Sequence, residues 1–111
     1  MKISKELMKG STVTLVLTLL ERKAMYGYEM IKEMESRSSG VFQFKEGTLY
    51  PILHQLEAEG FVEAYWFQEE GSRKRKYYRI TERGRQLIAE KTREWSLFRN
   101  AVDQVLGEGR A

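Results

Sequence analysis

Four consecutive cations, Arg73-Lys74-Arg75-Lys76, follow the acidic, glycine-containing stretch Glu69-Glu70-Gly71-Ser72 and precede Tyr77-Tyr78. Side chains of this type at this density neutralise a polyanion, and a phosphate backbone is the polyanion they match best. Acid–base and metal chemistry have far less to draw on. The chain holds one histidine, His54, one aspartate, Asp103, and no cysteine, so no metal site and no proton relay can be assembled from the usual ligands. Pairs such as Glu57 with Glu59 and Glu69 with Glu70 read as solvated surface charge. No glycine-rich phosphate loop and no nucleophile elbow is present. These residues predict a binding protein, not an enzyme, with no cofactor and no metal.

The formal net charge of +3 is modest, so placement matters more than total. Residues 61–80 carry five cations, all between Arg73 and Arg79, against three anions. A length of 111 residues, 41% of them apolar and 32% charged, fits one folded region of ordinary composition. No apolar run is long enough to span a bilayer, and the absence of cysteine suits a reducing compartment, so the expected location is the cytoplasm with no membrane partner.

The elements flanking the basic run decide whether it is a tail or a structured probe. Ser4 can cap a helix whose apolar residues thicken from Leu7 to Leu20, implying burial nearly all round. A second helical period runs through "AMYGYEMIKEMESRSSG" and stops at Ser38-Ser39-Gly40. "VFQF" at 41–44 is β-prone. In "FKEGTLYPILHQLEAEGFV", Leu49, Ile52, Leu53 and Leu56 follow the i, i+3, i+4, i+7 spacing of a helix with one buried face. Pro51 fixes the start of this third helix near Glu46 or Gly47, and Gly60 ends it. Thr48, Tyr50, Pro51, His54, Gln55 and Glu57 then face outward. "FVEAYWF" and "RKRKYYRI", joined by "QEEGS", alternate with period two and form a hairpin with a basic tip.

Three helices followed by such a hairpin give an α+β, mainly helical fold, a winged helix-turn-helix. The third helix enters the major groove and the hairpin wing lies on the backbone. Lys45, Arg73, Lys74, Arg75 and Lys76 suit phosphate contacts. Thr48, Tyr50, Pro51, His54 and Gln55 lie on the groove face, His54 as a DNA contact and not a metal ligand. After Thr81, which can cap it, a helix continues to about Leu106, roughly 37 Å at 1.5 Å per residue. Ile88, Trp95 and Val102 recur every seven residues, with Phe98 and Val105 on the adjoining row. That stripe predicts pairing with a second copy. The expected organisation is a DNA-binding unit over 1–80 and a dimerisation helix over 81–111. The alternative is a winged-helix module that docks on another protein by the same surfaces.

"YGYEM" at 26–30, "GTLYPILHQLEAEGFV" at 47–62 and "RKYYRITERG" at 75–84 together resemble the PadR family of bacterial transcriptional regulators. The combination of "TLYPILHQLEAEG" with "KYYRIT" at this distance is much more specific than a generic helix-turn-helix match. The resemblance implies a homodimeric repressor on a palindromic double-stranded operator, controlling detoxification or multidrug-efflux genes. Similarity to the short members, with one C-terminal helix, implies that Trp95, with Ile88 one heptad back, lines a dimer-interface pore taking a small aromatic effector. The turn "EEGSRKRK" departs from the Gly-Gly found before the basic residues in many relatives.

Overall fold

A computed structural model describes residues 3–107; residues 1–2 and 108–111, which the two expected units include, lie outside the described residues. The expected N-terminal helix divides in two. Gly10, at φ +87°, separates α1 (Lys5–Met8) from α2 (Thr12–Arg22), because a left-handed residue cannot continue a right-handed helix. Ser4 does cap α1, its hydroxyl accepting from the Leu7 amide at 3.2 Å. The apolar density of α2 is real: Val16, Leu17, Leu19 and Leu20 are all buried.

A two-residue strand, β1 (Met25–Tyr26), precedes α3 (Gly27–Arg37). "VFQF" forms no strand. The Ser38 hydroxyl accepts from the Phe42 amide at 2.9 Å, and Phe42 and Phe44 pack against the core from an irregular segment. Then come α4 (Glu46–Ala58), β2 (Val62–Phe67), β3 (Arg75–Ile80) and α5 (Glu82–Leu106). Pro51 sits in the second turn of α4 and removes one backbone donor, yet the helix continues through it. Gly60, at φ +82°, turns the chain out of α4, and the Phe61 amide bonds back to the Leu56 carbonyl at 2.9 Å.

The sheet is antiparallel, in the order β1-β3-β2. Register pairs Tyr78 with Met25 on one side and Ala64 on the other, placing all three on the face that meets the helices. Tyr78, Leu17, Leu20, Leu49, Leu53 and Ile88 are central to the single hydrophobic core. Alternation sends Tyr26, Tyr65, Tyr77 and Phe67 to the opposite face, where the other three rings lie within 5.3–5.8 Å of the Tyr77 centroid.

Thr81 ties this head to α5. Its hydroxyl donates to the Gly60 carbonyl at 2.7 Å and accepts from the Gly84 amide at 3.0 Å, while its amide donates to the Phe61 carbonyl at 3.1 Å. Gly84 lets α5 press onto the preceding loop: a Cβ there would collide with the Phe61 carbonyl and lie 2.7 Å from Ile80 Cγ1. One expectation is corrected here. Ile88, expected on the pairing stripe and beside an effector, is 1% exposed and belongs to this chain's own core. Heptad spacing puts it in line with Trp95, but the first two turns of α5 pack on the head and the later turns do not. Trp95 is 47% exposed, Phe98 and Val105 are exposed, and Val102 is half-buried. The described chain is elongated, 53 × 31 × 23 Å. Among the described residues, no helix is long and apolar enough to cross a membrane.

Candidate nucleic-acid interface

The outer face of α4 is polar because its apolar residues are spent on the core. Leu49, Leu53 and Leu56 point inward, leaving Thr48, Pro51, His54 and Gln55 exposed and Tyr50 half-buried at the margin. The Tyr50 and His54 rings are 6.3 Å apart. Gln55 donates its amide to the Glu59 carboxylate. Lys45 is the N-cap residue of α4 and is exposed at the end of the helix where backbone amides are unpaired.

The basic run is held on an ordered turn. Gly71 takes φ +77°, the Ser72 amide bonds the Glu69 carbonyl at 3.0 Å, and Gln68 donates to the Ser72 carbonyl at 2.8 Å. Arg75 and Lys76 lie within β3, opposite Phe67 and Trp66, whereas Arg73 and Lys74 lie beyond the last paired residue. The cations therefore differ in freedom. Arg75 stacks 4.5 Å over the Tyr26 ring and reaches the Ser72 hydroxyl at 3.3 Å. Lys76 lies 3.9 Å from the Glu57 carboxylate of α4 and 5.6 Å from the centre of the Tyr78 ring. Lys74 sits 5.8 Å from the centre of the Trp66 ring, and Arg73 forms no ion pair among the described residues.

Helix and wing meet across an open cleft of about 440 Å³. Tyr50 and His54 line it from α4, and Trp66, Arg73, Lys74 and Lys76 from the hairpin. Of the residues singled out in the sequence, Tyr50, His54, Arg73, Lys74, Arg75 and Lys76 border this cleft; Thr48, Pro51 and Gln55 lie elsewhere on the exposed side of α4. At its base Tyr78 is fully buried, and its hydroxyl has no hydrogen-bond partner among the described residues. Burial, and then the nearby Glu57 and Tyr50, hold this phenol above its ordinary pKa. A larger depression of about 550 Å³ beside Met8, Phe42 and Phe44 has one ionisable lining residue, Lys45. No group of three potential metal ligands occurs among the described residues.

Sequence patterns did not place Tyr26, Gly27, Tyr28 and Trp66 at the cleft, yet all four line it. Trp66 had a usable signal, since it alternates with Val62 and Ala64 on one strand face. The other three come from β1 and the start of α3, whose position depends on pairing with β3.

The chain is similar to known proteins in sequence and in fold. The profile of the "Transcriptional regulator PadR-like family" covers residues 16–90. Over 101 residues the chain is 35% identical to an uncharacterized protein of Lysinibacillus sphaericus, spanning 91% of this chain and 93% of that one. A transcriptional regulator from Clostridium thermocellum superposes with a TM-score of 0.83 at 32% identity, over 92% of this chain and 96% of that chain. A PadR family transcription regulator from Clostridium difficile R20291 superposes with a TM-score of 0.76 at 33% identity, over 87% of this chain and 99% of that chain.

Proposed function

Because the chain belongs to the PadR-like family of transcriptional regulators, non-enzymatic DNA-binding proteins that commonly dimerise, we propose that it is a homodimeric repressor gripping a palindromic operator. On this reading the reading head lies within residues 1–80 and the pairing element, α5, within residues 81–111. In each head α4 enters the major groove, with Thr48, Tyr50, Pro51, His54 and Gln55 toward base edges and sugars. Lys45 and the wing residues Arg73, Lys74, Arg75 and Lys76 take phosphates on either side. The observation that carries this reading is the shared cleft: Tyr50 and His54 of α4 and the wing cations Arg73 to Lys76 border one concave surface.

Pairing through Trp95, Phe98, Val102 and Val105 sets the two heads apart, and half-sites must be about one helical turn, roughly 34–36 Å, from centre to centre. Trp95 lies 5.9 Å from Phe98, ring centre to ring centre, and is partly exposed, which supports a small aromatic effector stacking there and shifting head spacing. The genes controlled on this reading are those of detoxification or multidrug efflux. The test is a mobility shift with the DNA upstream of the protein's own gene. A discrete complex, competed poorly by unrelated duplex and weakened by orders of magnitude from about 50 to 200 mM salt, is expected. Failure to retain that duplex at low salt overturns the proposal in favour of a protein-docking module.

A further inference from the structure

Gly27 is a glycine for want of space and not for backbone freedom. It is the first residue of α3, and it is absent from the glycines at positive φ, which are Gly10, Gly40, Gly60, Gly71 and Gly107. Alanine fits that backbone region and is the better helix former. The space that a side chain would enter is filled by Tyr50. A Cβ on Gly27 would collide with the Tyr50 hydroxyl and lie 2.7 Å from Cζ and 3.1 Å from Cε1 of the same ring. The phenol of α4 is lodged in the notch that the missing methyl leaves.

The notch lies at a mechanical junction. Gly27 directly follows β1, and β1 is hydrogen-bonded to the wing strand through Met25 with Tyr78 and Tyr26 with Tyr77. Tyr26 also carries the guanidinium of Arg75 on its ring. The Tyr50 ring thus spaces the groove-facing helix from the sheet that carries the wing cations. Duplex DNA has a fixed separation between groove floor and phosphate, so both elements must be in place at once.

We infer that Gly27 is a positioning residue for operator reading: its absent side chain seats Tyr50 and thereby sets the distance between α4 and the wing. The inference rests on the DNA-binding face proposed above, and the test separates the two. His54 is the one histidine in the chain, and its ring lies 6.3 Å from that of Tyr50, so its imidazole proton resonances report the Tyr50 position without DNA. Gly27→Ala, Tyr50→Ala and the double variant are prepared as full chains. Gly27→Ala should move the His54 resonances, and it should weaken binding to the upstream duplex about a hundredfold, the scale of one lost base-edge contact, about tenfold, in each of the two heads. Non-specific duplex, held by charge alone, should bind as before. Adding Gly27→Ala to Tyr50→Ala should change affinity by less than about twofold, because the ring it displaces is gone.

Unmoved His54 resonances in Gly27→Ala overturn the inference, as does an equal loss of affinity from Gly27→Ala in both backgrounds. If Gly27→Ala fails to fold, the double variant should recover the melting temperature of Tyr50→Ala, and failure to recover counts against the notch. If the parent protein ignores DNA, the operator-reading part falls with the proposed function, while the His54 shift still decides whether Gly27 seats Tyr50.

Discussion

Removing Arg73 and Lys74 together should flatten the salt dependence of DNA binding more than removing their strand neighbours. Both lie past the last paired residue of the hairpin, and neither forms an ion pair among the described residues. Arg75 and Lys76 are already engaged, one on Tyr26 and Ser72, the other beside Glu57 at 3.9 Å. Each phosphate neutralised contributes about 0.9 to the slope of log affinity against log salt. Two such cations on each wing of a dimer make four contacts, so Arg73→Ala with Lys74→Ala should lower the slope by about 3.6. Over a fourfold rise in salt that difference is roughly a hundredfold in affinity. Lys76→Ala should do less than half as much per residue, because its charge is partly compensated by Glu57 before DNA arrives. Fluorescence anisotropy of the labelled upstream duplex, titrated at about 50, 100 and 200 mM salt, reads the slope directly. An unchanged slope in the double variant, with its melting temperature also unchanged, would show that the wing tip does not touch phosphate.

Tyr78→Phe removes a buried hydroxyl that lacks a partner among the described residues, so it should stabilise the fold by about 1 kcal/mol, or about 4 °C in Tm at fixed protein concentration; a loss of stability would mean that the hydroxyl is bonded. The same residue has a pH signature. Its folded pKa is raised above the unfolded value of about 10, so no ionisation penalty falls on the fold below that pH and stability declines as pH climbs toward the folded value, a decline that urea titrations should find smaller in Tyr78→Phe, where Tyr77, also raised, still titrates. Thr81→Ala loses a helix cap and the bond to Gly60 and should cost about 1–2 kcal/mol in chemical denaturation, with Thr81→Ser restoring most of it. Trp95→Glu combined with Phe98→Glu places charge on the exposed stripe of α5 and should yield a folded monomer at micromolar concentration by sedimentation velocity; a persisting dimer would move the pairing surface elsewhere.

Local signals in the chain were strong where one element sufficed to produce them. The i, i+3, i+4, i+7 spacing of Leu49, Ile52, Leu53 and Leu56, the stop at Gly60, the alternation of the hairpin and the Thr81 cap all appear in the fold as their residue types dictate. The misread segments depend on partners far along the chain or on competing local bonds. Strand β1 is two residues long and exists through its pairing with β3. Gly10 interrupts a stretch whose apolar density masked it, and the Ser38 hydroxyl diverts "VFQF" from its β preference. Periodicity ranked Ile88 with Trp95 because both recur on one helical row; whether that row faces its own domain or solvent is set by where the head ends. The cleft was half legible for a related reason. Its cations and the outer side of α4 follow from sequence spacing, whereas Tyr26, Gly27 and Tyr28 arrive there through tertiary contact.

The junction at Thr81 has a consequence for how α5 can transmit motion. With its first turn clamped to the Gly60 and Phe61 carbonyls and pressed close by the absent Gly84 side chain, the helix has no loose joint at its root. A tilt of about 5° imposed near its far end therefore swings the whole globule, displacing it by roughly 3 Å over a shaft of about 37 Å. In a dimer paired through α5, a displacement of that size would change the separation of the two heads by about the rise of one base pair.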